Sequence, residues 1–260
     1  MQIGRQRLEL VFPWVDLWLC APPQLAAGDS LREYVELLSA DEREQHRRLK
    51  FPQHQREYLV SHALLRTALS QYADIEPTAW QFTRNEYGKP AIANPLPEPL
   101  QFNLSHTSGL TLCAIGRGGD IGADVEFHAN SQALLEVADH YFSEREVTDL
   151  RALPAAEQGD AFFRYWTLKE SYIKARGEGL SIPLDSFSFY FDEQQRIHFE
   201  HAETPANADV HWSFALFQLS AMYSAAVAVQ QERLEFRLFW STLDSFEQLS
   251  DASQVADYLE

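Results

Sequence analysis

The sequence predicts an α+β fold, and three features of the chain indicate it. Predicted strands and helices come in runs of one type rather than in strict alternation, which is typical of α+β proteins. The chain has 260 residues, a length that suits one large domain or two modest ones. The Ala- and Val-rich segment Ser224–Val229 loosely resembles Leu112–Ile115, which suggests two similar halves without proving a duplication.

Helix and strand signals place the elements of the first half. Ser39 precedes two acidic residues and looks like a helix N-cap, whereas Pro52 separates this helix from a longer one. The Pro-rich stretch Pro90–Pro99 is interpreted as a loop. The predicted elements are a strand at Val15–Cys20, helices at Ser39–Lys50 and Gln53–Tyr72, and strands at Trp80–Thr83, Gln101–Leu104, Leu110–Ile115 and Ile121–Phe127.

In the second half, helical spacing returns and is followed mostly by strand patterns. The predicted elements are helices at Gln132–Phe142, Ser143–Leu153 and Glu157–Arg176, and strands at Phe187–Phe191, Ile197–His201, Trp212–Leu219 and Tyr223–Val229. From Gln230 on the chain is acidic with scattered aromatic residues. We therefore expect an N-terminal subdomain over residues 1–120, a C-terminal subdomain over residues 121–230 and a peripheral acidic extension over residues 231–260.

The composition excludes several classes of partner. The chain carries 38 acidic and 21 basic residues, a formal charge of −17, and this acid excess argues against binding the phosphates of DNA or RNA. Its apolar stretches fall far short of the ~20 residues of a membrane span, and residues 1–7 lack the apolar core of a signal peptide. The two cysteines exclude a disulfide framework and a Cys-based zinc site. We expect a cytoplasmic protein with no nucleic-acid or membrane partner.

Two carboxylates share one face of a predicted strand. In Ile121–Phe127 the side chains of Asp124 and Glu126 lie two residues apart, so they project to the same side. Neighbouring carboxylates repel unless a cation lies between them, and Mg²⁺ is typically bound by one or two carboxylates together with phosphate oxygens. The alternative is a solvent-facing acidic edge, because surface carboxylates are common.

A third carboxylate falls on the apolar side of a predicted helix. Helical spacing places Glu170 between Phe163 and Trp166, where a carboxylate is costly unless it is paired or binds a metal. Lys174 follows four residues later, and a pair between the two would give Glu170 a purely structural role.

Ser105 and His106 end a predicted strand just before a turn of small residues. This arrangement presents a hydroxyl, an imidazole and free backbone N–H groups, which together suit a phosphate. A histidine at a strand end can equally be structural, and Ser and His without a placed acid form no catalytic triad.

Taken in order, six short motifs resemble one family closely. The chain is similar to 4′-phosphopantetheinyl transferases of the surfactin-synthetase-activating (Sfp) type over roughly Ser39–Phe189. The motifs are Tyr87-Gly88-Lys89-Pro90, Phe102-Asn103-Leu104-Ser105-His106, Ile121-Gly122-Ala123-Asp124-Val125-Glu126, Phe142-Ser143 with Glu146, Trp166 through Lys174, and Gly177-Glu178-Gly179-Leu180 followed by Pro183-Leu184 and Phe187.

The resemblance implies an activity and a set of ligands. Members of this family transfer the 4′-phosphopantetheine arm of coenzyme A to a serine of an apo acyl or peptidyl carrier protein, with Mg²⁺, and release adenosine 3′,5′-bisphosphate. By motif match, the metal ligands would be Asp124, Glu126 and Glu170. The fold implied is a pseudo-dimer of two similar α+β subdomains with coenzyme A in the cleft between them, and hence a monomer.

The resemblance also implies roles for individual residues. Glu146 would take the proton of the serine, the alternative being a surface helix acid, and Lys169 and Lys174 would face the phosphates. Arg56 would face the 3′-phosphate, and Lys89 would lie near the adenine and its ribose. The expected catalytic residues are Glu146, Glu170 and Lys174. The residues expected to bind coenzyme A are Arg56, Lys89, Pro90, Ser105, His106, Asp124, Glu170 and Lys174.

Two other functions stay open at this point. A Mg²⁺-dependent phosphotransferase acting on nucleotides would share the carboxylates, but the sequence lacks a triphosphate-binding glycine loop. A non-catalytic homologue that still binds coenzyme A or a carrier protein would be favoured by the loss of a metal ligand, yet all three carboxylates are present. The sequence does not identify the carrier protein.

Overall fold

The computed structural model of the chain describes residues 7–22, 29–128, 134–201 and 211–259. The helices in these ranges are α1 (Asp29–Val35), α2 (Ala40–Arg48), α3 (Pro52–Leu69), α4 (Leu134–Tyr141), α5 (Glu144–Ala152) and α6 (Ala155–Arg176). The strands are β1 (Trp14–Cys20), β2 (Phe82–Arg84), β3 (Pro90–Ile92), β4 (Gln101–Thr107), β5 (Leu110–Gly116), β6 (Ile121–Phe127), β7 (Phe187–Phe191), β8 (Ile197–His201), β9 (Ser213–Ser220), β10 (Tyr223–Val229), β11 (Glu235–Ser241) and β12 (Phe246–Leu249).

The same order of elements occurs twice along the chain. A strand (β1 or β6) is followed by two short helices, one long helix (α3 or α6), a small two-stranded sheet (β2–β3 or β7–β8) and a hairpin (β4–β5 or β9–β10). In each half the second strand of that hairpin pairs antiparallel with the opening strand. The predicted α+β fold with two similar subdomains is confirmed.

Two sheets pack face to face between the two long helices. The larger sheet has the strand order β12-β11-β1-β5-β4, and the smaller has the order β6-β10-β9. Alternate residues of β1 belong to two different hydrophobic cores, because successive side chains of a strand point to opposite faces of the sheet. Trp18 and Cys20 pack in a core with α3, whereas Leu17 and Leu19 pack in a core with β6 and β10. Ala226 of β10 belongs to a third core, which lies under α6.

The second helix of each half begins with a capping box. Ser39 precedes α2, where its side chain accepts a hydrogen bond from the Glu42 amide while the Glu42 carboxylate accepts one from the Ser39 amide. Ser143 and Glu146 repeat this reciprocal pair at the start of α5. Each box satisfies backbone donors that a helix N-terminus leaves free, so the helix start predicted at Ser39 is confirmed.

Side chains of β4 join the two sheets. β6 is an edge strand of the smaller sheet, and its inward-facing amides need acceptors because buried N–H groups are costly when unpaired. Asn103, Ser105 and Thr107 accept hydrogen bonds from three alternate amides of β6 at 3.0–3.3 Å. This joint fixes β4 of the first half against the strand that opens the second half.

The prediction of a peripheral extension over residues 231–260 is wrong. β11 lies parallel to β1 in the larger sheet, with Trp14 opposite Glu235, and β12 pairs with β11. Leu238, Phe239 and Trp240 are buried there. The acidic residues that suggested an appendage lie mostly outside the apolar centre of β11. The predicted boundary between residues 120 and 121 stays a prediction.

Other elements also differ from their predictions, and the strand expected at Trp80–Thr83 is observed at Phe82–Arg84. Pro90–Ile92 within the expected loop forms strand β3 and pairs with β2, because Pro90 is the first residue of a short edge strand, a position that proline tolerates. The helix predicted from Gln132 is observed from Leu134, and residues 132 and 133 lie outside the described ranges. Among the described helices, none combines the length and apolarity needed to cross a membrane.

Candidate active site

Helix α6 crosses strand β6 at very short range. At Gly122 a Cβ atom would overlap the backbone carbonyl oxygen of Ser171. A glycine in a strand commonly marks such a close approach of another backbone. The approach brings Glu170 and Lys174 of α6 alongside Asp124 of β6.

Asp124 is the centre of this cluster and is 3% exposed. Its Oδ1 atom lies 2.6 Å from Lys174 Nζ and accepts a hydrogen bond of 3.1 Å from the Ser105 hydroxyl. Lys174 Nζ also donates to Ser105 Oγ at 2.9 Å. The second carboxylate oxygen, Oδ2, is buried and has no hydrogen-bond partner. Such an orphaned anionic atom is costly unless a cation or donor from outside the chain reaches it.

The other two carboxylates are electrostatically coupled to Asp124. Desolvation, followed by the charge of Asp124, raises the pKa of Glu126 to about 7, although the Trp166 indole N–H, 3.1 Å from Glu126 Oε1, acts in the opposite direction. Desolvation and the Asp124 charge also raise the pKa of Glu170. The same-face arrangement of Asp124 and Glu126 is therefore accompanied by mutual repulsion.

The structural alternative for Glu170, an ion pair with Lys174, does not match the geometry. Lys174 forms its ion pair with Asp124, at 2.6 Å. Its charge lowers the pKa of Glu170, but by less than desolvation and Asp124 raise it. One ammonium group thus faces three carboxylates, which would carry surplus negative charge when all three are ionised.

The donor set fits a hard divalent cation, although the atoms do not form a closed ligand shell. Within the described residues, no group of three or more His, Cys, Asp or Glu side chains is arranged to hold a metal ion. The chemistry nevertheless suits Mg²⁺, because every donor is a carboxylate oxygen and one of them, Asp124 Oδ2, is buried without a partner. A bound cation would also relieve the repulsion among Asp124, Glu126 and Glu170.

The cluster faces a cavity of about 310 Å³ between the two halves. One wall is the turn between β2 and β3 with part of β4, and the other is the C-terminal part of α6. The lining residues are Tyr87, Gly88, Lys89, Pro90, Asn103, Leu104, Glu170, Ile173, Lys174, Gly177 and Gly179. The structure therefore brings four of the residues predicted to bind coenzyme A, Lys89, Pro90, Glu170 and Lys174, to one cavity.

Besides Asp124, three residues expected to bind coenzyme A are not among those that line this cavity. Ser105 is buried, and its hydroxyl is engaged by Asp124, Lys174 and the Val125 amide. His106 projects from the opposite face of β4, where desolvation lowers its pKa although the charge of Glu57 in α3 acts in the opposite direction. Arg56 of α3 donates to the Pro22 carbonyl at 2.9 Å.

Glu146 lies in a buried ion pair, neither at the helix surface nor beside the cavity. Glu146 and Lys169 are both 0% exposed, and Lys169 Nζ lies 2.7 Å from Glu146 Oε2. The second oxygen of Glu146 accepts the Phe189 amide at 2.8 Å. Lys169 also donates to two backbone carbonyls, those of Leu184 and Phe187, at 2.7 and 2.8 Å. The geometry supports a structural role for both residues, and the expectation that Lys169 faces the phosphates is wrong.

The first half contains an equivalent buried ion pair, although no catalytic residue was predicted there. Glu42, the capping-box acid of α2, lies 2.7 Å from Nη2 of Arg66 in α3, and Arg66 is 1% exposed. Arg66 also donates to two backbone carbonyls, those of Pro77 and Trp80. The pair of Glu146 and Lys169 is thus the counterpart of Glu42 and Arg66. This repetition supports a structural role for Glu146 rather than the role of a general base.

Sequence reasoning missed three contributors to the site. Gly122 sets the approach of α6, and a glycine within a buried strand pattern is a signal for that. Trp166 was recognised only as part of a motif, whereas its indole binds Glu126. Asn85 lies two residues before the Tyr87–Pro90 motif, and its side-chain amide donates a hydrogen bond to the Gly177 carbonyl at the end of α6. Apart from its place beside the motif, nothing in the sequence indicates this contact.

Comparison with known proteins identifies the family. Residues 120–229 match the family model described as the 4′-phosphopantetheinyl transferase superfamily. Residues 26–116 match the model described as 4′-phosphopantetheinyl transferase, N-terminal. The two matches cover most of the chain and meet near the joint between its halves.

Among individual proteins, the 4′-phosphopantetheinyl transferase HetI of Nostoc sp. is 36% identical over 175 residues, which are 67% of this chain and 73% of that protein. The 4′-phosphopantetheinyl transferase Sfp of Bacillus subtilis is 35% identical over 167 residues, 64% of this chain and 72% of that protein. A crystal structure of a holo-(acyl-carrier-protein) synthase from Bacillus anthracis, in complex with CoA, is 15% identical with a TM-score of 0.38, covering 44% of this chain and 96% of that one. On the family models and the sequence relatives, the chain belongs to the 4′-phosphopantetheinyl transferase superfamily.

Proposed function

We propose that this chain is a Mg²⁺-dependent enzyme that transfers the 4′-phosphopantetheine arm of coenzyme A to a serine of an apo carrier protein. The observation that carries the proposal is the cluster of Asp124, Glu170 and Lys174 beside a cavity between the two halves. A pyrophosphate in that cavity would meet the Lys174 ammonium on the side where the carboxylates gather. The family to which the chain belongs supports the same reaction.

In the reaction, the serine oxygen attacks the phosphorus that carries the pantetheine arm. The bond from this phosphorus to the oxygen bridging the two phosphates breaks, and adenosine 3′,5′-bisphosphate leaves. Lys174, held by Asp124 and Ser105, stabilises the negative charge that builds on the phosphates. Glu170 accepts the serine proton, because its carboxylate lines the cavity beside Lys174 and a general base must lie within reach of the proton it takes.

Asp124, Glu126 and Glu170 would hold the Mg²⁺. When bound, the ion would neutralise charge on the pyrophosphate and on the departing bisphosphate. The orphaned Oδ2 atom of Asp124 and the repulsion among the carboxylates support this assignment. Binding of Mn²⁺, a paramagnetic substitute, can be followed without turnover, and Asp124→Asn should weaken it. Unchanged binding to Asp124→Asn would contradict the metal site.

The first half would bind the far end of coenzyme A. His106 lies on the side of β4 that faces α3, and Arg56 lies on α3 itself. Both are candidates for binding the 3′-phosphate. Lys89 and Pro90 line the cavity and would contact the nucleotide portion. We expect dephospho-coenzyme A to bind less tightly than coenzyme A, and equal affinities would argue against a dedicated 3′-phosphate pocket.

We also propose that the enzyme works as a monomer in the cytoplasm. One chain supplies both walls of the cavity, so the arrangement needs no second copy. Light scattering coupled to size-exclusion chromatography measures the oligomeric state directly, and a stable dimer would contradict the proposal.

The decisive experiment is mass spectrometry of a panel of apo carrier proteins incubated with coenzyme A, Mg²⁺ and this protein. We expect a mass gain of one phosphopantetheine arm on at least one carrier, and its loss with a chelator. Glu170→Gln should lower turnover by about 10²–10⁴-fold, the usual contribution of a general base. Glu157→Gln, in the first turn of the same helix and exposed, is the matched control and should retain parental turnover. Tight binding of coenzyme A with no mass gain on any carrier would instead indicate a non-catalytic homologue.

A further inference from the structure

The turn between β2 and β3 is organised by the side chain of Asn85. Its Oδ1 atom accepts hydrogen bonds from the amides of Tyr87 and Lys89 at 3.0 and 2.8 Å. Two backbone hydrogen bonds also close the turn. The backbone N–H of Asn85 donates to the Lys89 carbonyl at 3.0 Å, and the backbone N–H of Gly88 donates to the backbone carbonyl of Asn85 at 3.0 Å. One side chain thus fixes the conformation of the whole turn that forms a wall of the cavity.

The same turn is attached to the C-terminal end of α6. Asn85 Nδ2 donates to the Gly177 carbonyl at 2.8 Å. Lys89 Nζ donates to the Ala175 carbonyl at 2.5 Å and lies 3.1 Å from Asp120 Oδ1. The last carbonyls of a helix lack partners within the helix and carry a partial negative charge, so an amide donor and an ammonium group are suitable caps.

The attachment is tightly packed. Gly177 ends α6 with a φ of 69°, a left-handed conformation that favours glycine. A Cβ atom at Gly177 would lie 2.5 Å from Lys89 Cδ and 3.3 Å from Asn85 Nδ2. A larger residue at position 177 would therefore displace the Lys89 and Asn85 side chains that attach the turn to the helix.

These contacts join the two walls of the cavity, since Tyr87–Pro90 form one wall and Glu170 and Lys174 lie on the other. We propose that Asn85 is a positioning residue, which sets the width of the coenzyme A cavity by clamping the Tyr87–Pro90 turn onto the end of α6. The proposal rests on the proposed function in that coenzyme A is taken as the ligand. Asn85 itself does not touch the reacting atoms; it acts through the turn and the helix.

The variant Asn85→Asp removes the contact with α6 while keeping the hydrogen bonds within the turn. An aspartate keeps an oxygen that accepts from the amides of Tyr87 and Lys89, but it replaces the donor to the Gly177 carbonyl with a second oxygen. Asn94→Asp is the matched control, because Asn94 also accepts one backbone amide and donates to one backbone carbonyl, those of Gln81 and Ala79. Both bonds of Asn94 lie within the first half, away from α6.

Coenzyme A affinity is measured by calorimetry on the full chain, and KM and kcat by carrier modification. For Asn85→Asp we expect Kd and KM to rise by up to about tenfold, the upper end for one lost hydrogen bond, with kcat changed by less than about threefold. Asn94→Asp should leave all three parameters within about twofold of the parent. Gly177→Ala, which opens the clamp by a different route, should reproduce the affinity loss if Asn85→Asp fails to fold.

Several outcomes would overturn the clamp. One is parental affinity for coenzyme A in both Asn85→Asp and Gly177→Ala. Another is a fall in kcat with KM unchanged. A third is an affinity loss that disappears in 0.5 M salt, because screening would remove the repulsion between the new carboxylate and the coenzyme A phosphates but would not restore the hydrogen bond. If the parent modifies no carrier, the proposed function fails, while the calorimetric comparison still tests the clamp.

Discussion

Removing one partner of the buried pair between Glu146 and Lys169 should destabilise the protein strongly. Both side chains are 0% exposed, so Lys169→Met would leave a buried carboxylate without its counter-charge and two backbone carbonyls without a donor. Breaking a buried ion pair in this way typically costs about 3–5 kcal/mol. With an unfolding entropy of roughly 2 cal/mol/K per residue, that cost lowers Tm by about 5–10 °C for a chain of this length.

Thermal unfolding of the parent, Lys169→Met, Glu146→Gln and the double variant forms a double-mutant cycle. We expect each single variant to be destabilised and the double variant to lose less than the sum of the two, since the second substitution removes the charge that the first left unpaired. The pair of Glu42 and Arg66 provides a second cycle in the first half, and because Glu42 is partly exposed (14%), smaller losses are expected there.

Turnover in the same variants distinguishes the structural role of Glu146 from a role as general base. Below the temperature of unfolding, Glu146→Gln should keep most of the parental kcat, whereas Glu170→Gln should not. Two results would refute the reasoning. One is a Tm within about 2 °C of the parent for Lys169→Met, equivalent to roughly 1 kcal/mol. The other is a folded, stable Glu146→Gln whose kcat falls by about 10² or more, which would restore the assignment as a base.

Three further predictions follow from the packing and the charges. Gly122→Ala should abolish turnover or folding, measured by carrier modification and circular dichroism, because its methyl group meets the Ser171 carbonyl; full activity would contradict the close approach of α6. Without divalent cations, Glu126→Gln should raise Tm at pH 8 but not at pH 4. The pKa of Glu126 is raised from 4.5 to about 7 in the folded state, so the parent protein loses stability as pH rises through that window and this acid ionises. Equal Tm changes at both pH values would contradict this prediction. Truncation after residue 230 should prevent stable folding, because the fully buried Asp16 loses its ion pair with Arg237, at 2.6 Å, and β1 loses the neighbouring strand β11. A truncated chain with the parental Tm would show that β11 is not needed for the fold.

Local signals were enough to predict much of the fold and part of the site. The strands at residues 121–127, 187–191 and 223–229 are found with their predicted bounds, because their apolar residues and flanking turns are encoded within the segment itself. The shared face of Asp124 and Glu126 follows from strand geometry alone. The position of Glu170 on an apolar helix face likewise needs only the helical period.

What could not be predicted depends on how distant segments pack. The sequence around Ser143 and Glu146 encodes a capping box, but only the docking of α6 decides that the carboxylate meets Lys169 rather than solvent or substrate. Lys89 has a long side chain whose direction is set by the end of α6, 86 residues away. For β11, the partner strand lies at the opposite end of the chain, and no pattern within residues 235–241 indicates it.

The position of β11 has a consequence for the synthesis of the protein. The ribosome delivers β1 first, yet the strand that completes its pairing follows 221 residues later, counted between Asp16 and Arg237. Domains generally fold in the order in which they emerge, but here the first subdomain must wait with an open sheet edge until the second has been made. Open edges are sites of unwanted pairing with other chains. The two halves look alike, yet all strands of the smaller sheet have emerged once β10 is made, whereas the larger sheet still waits for β11, so the edge of the nascent first half stays open longer.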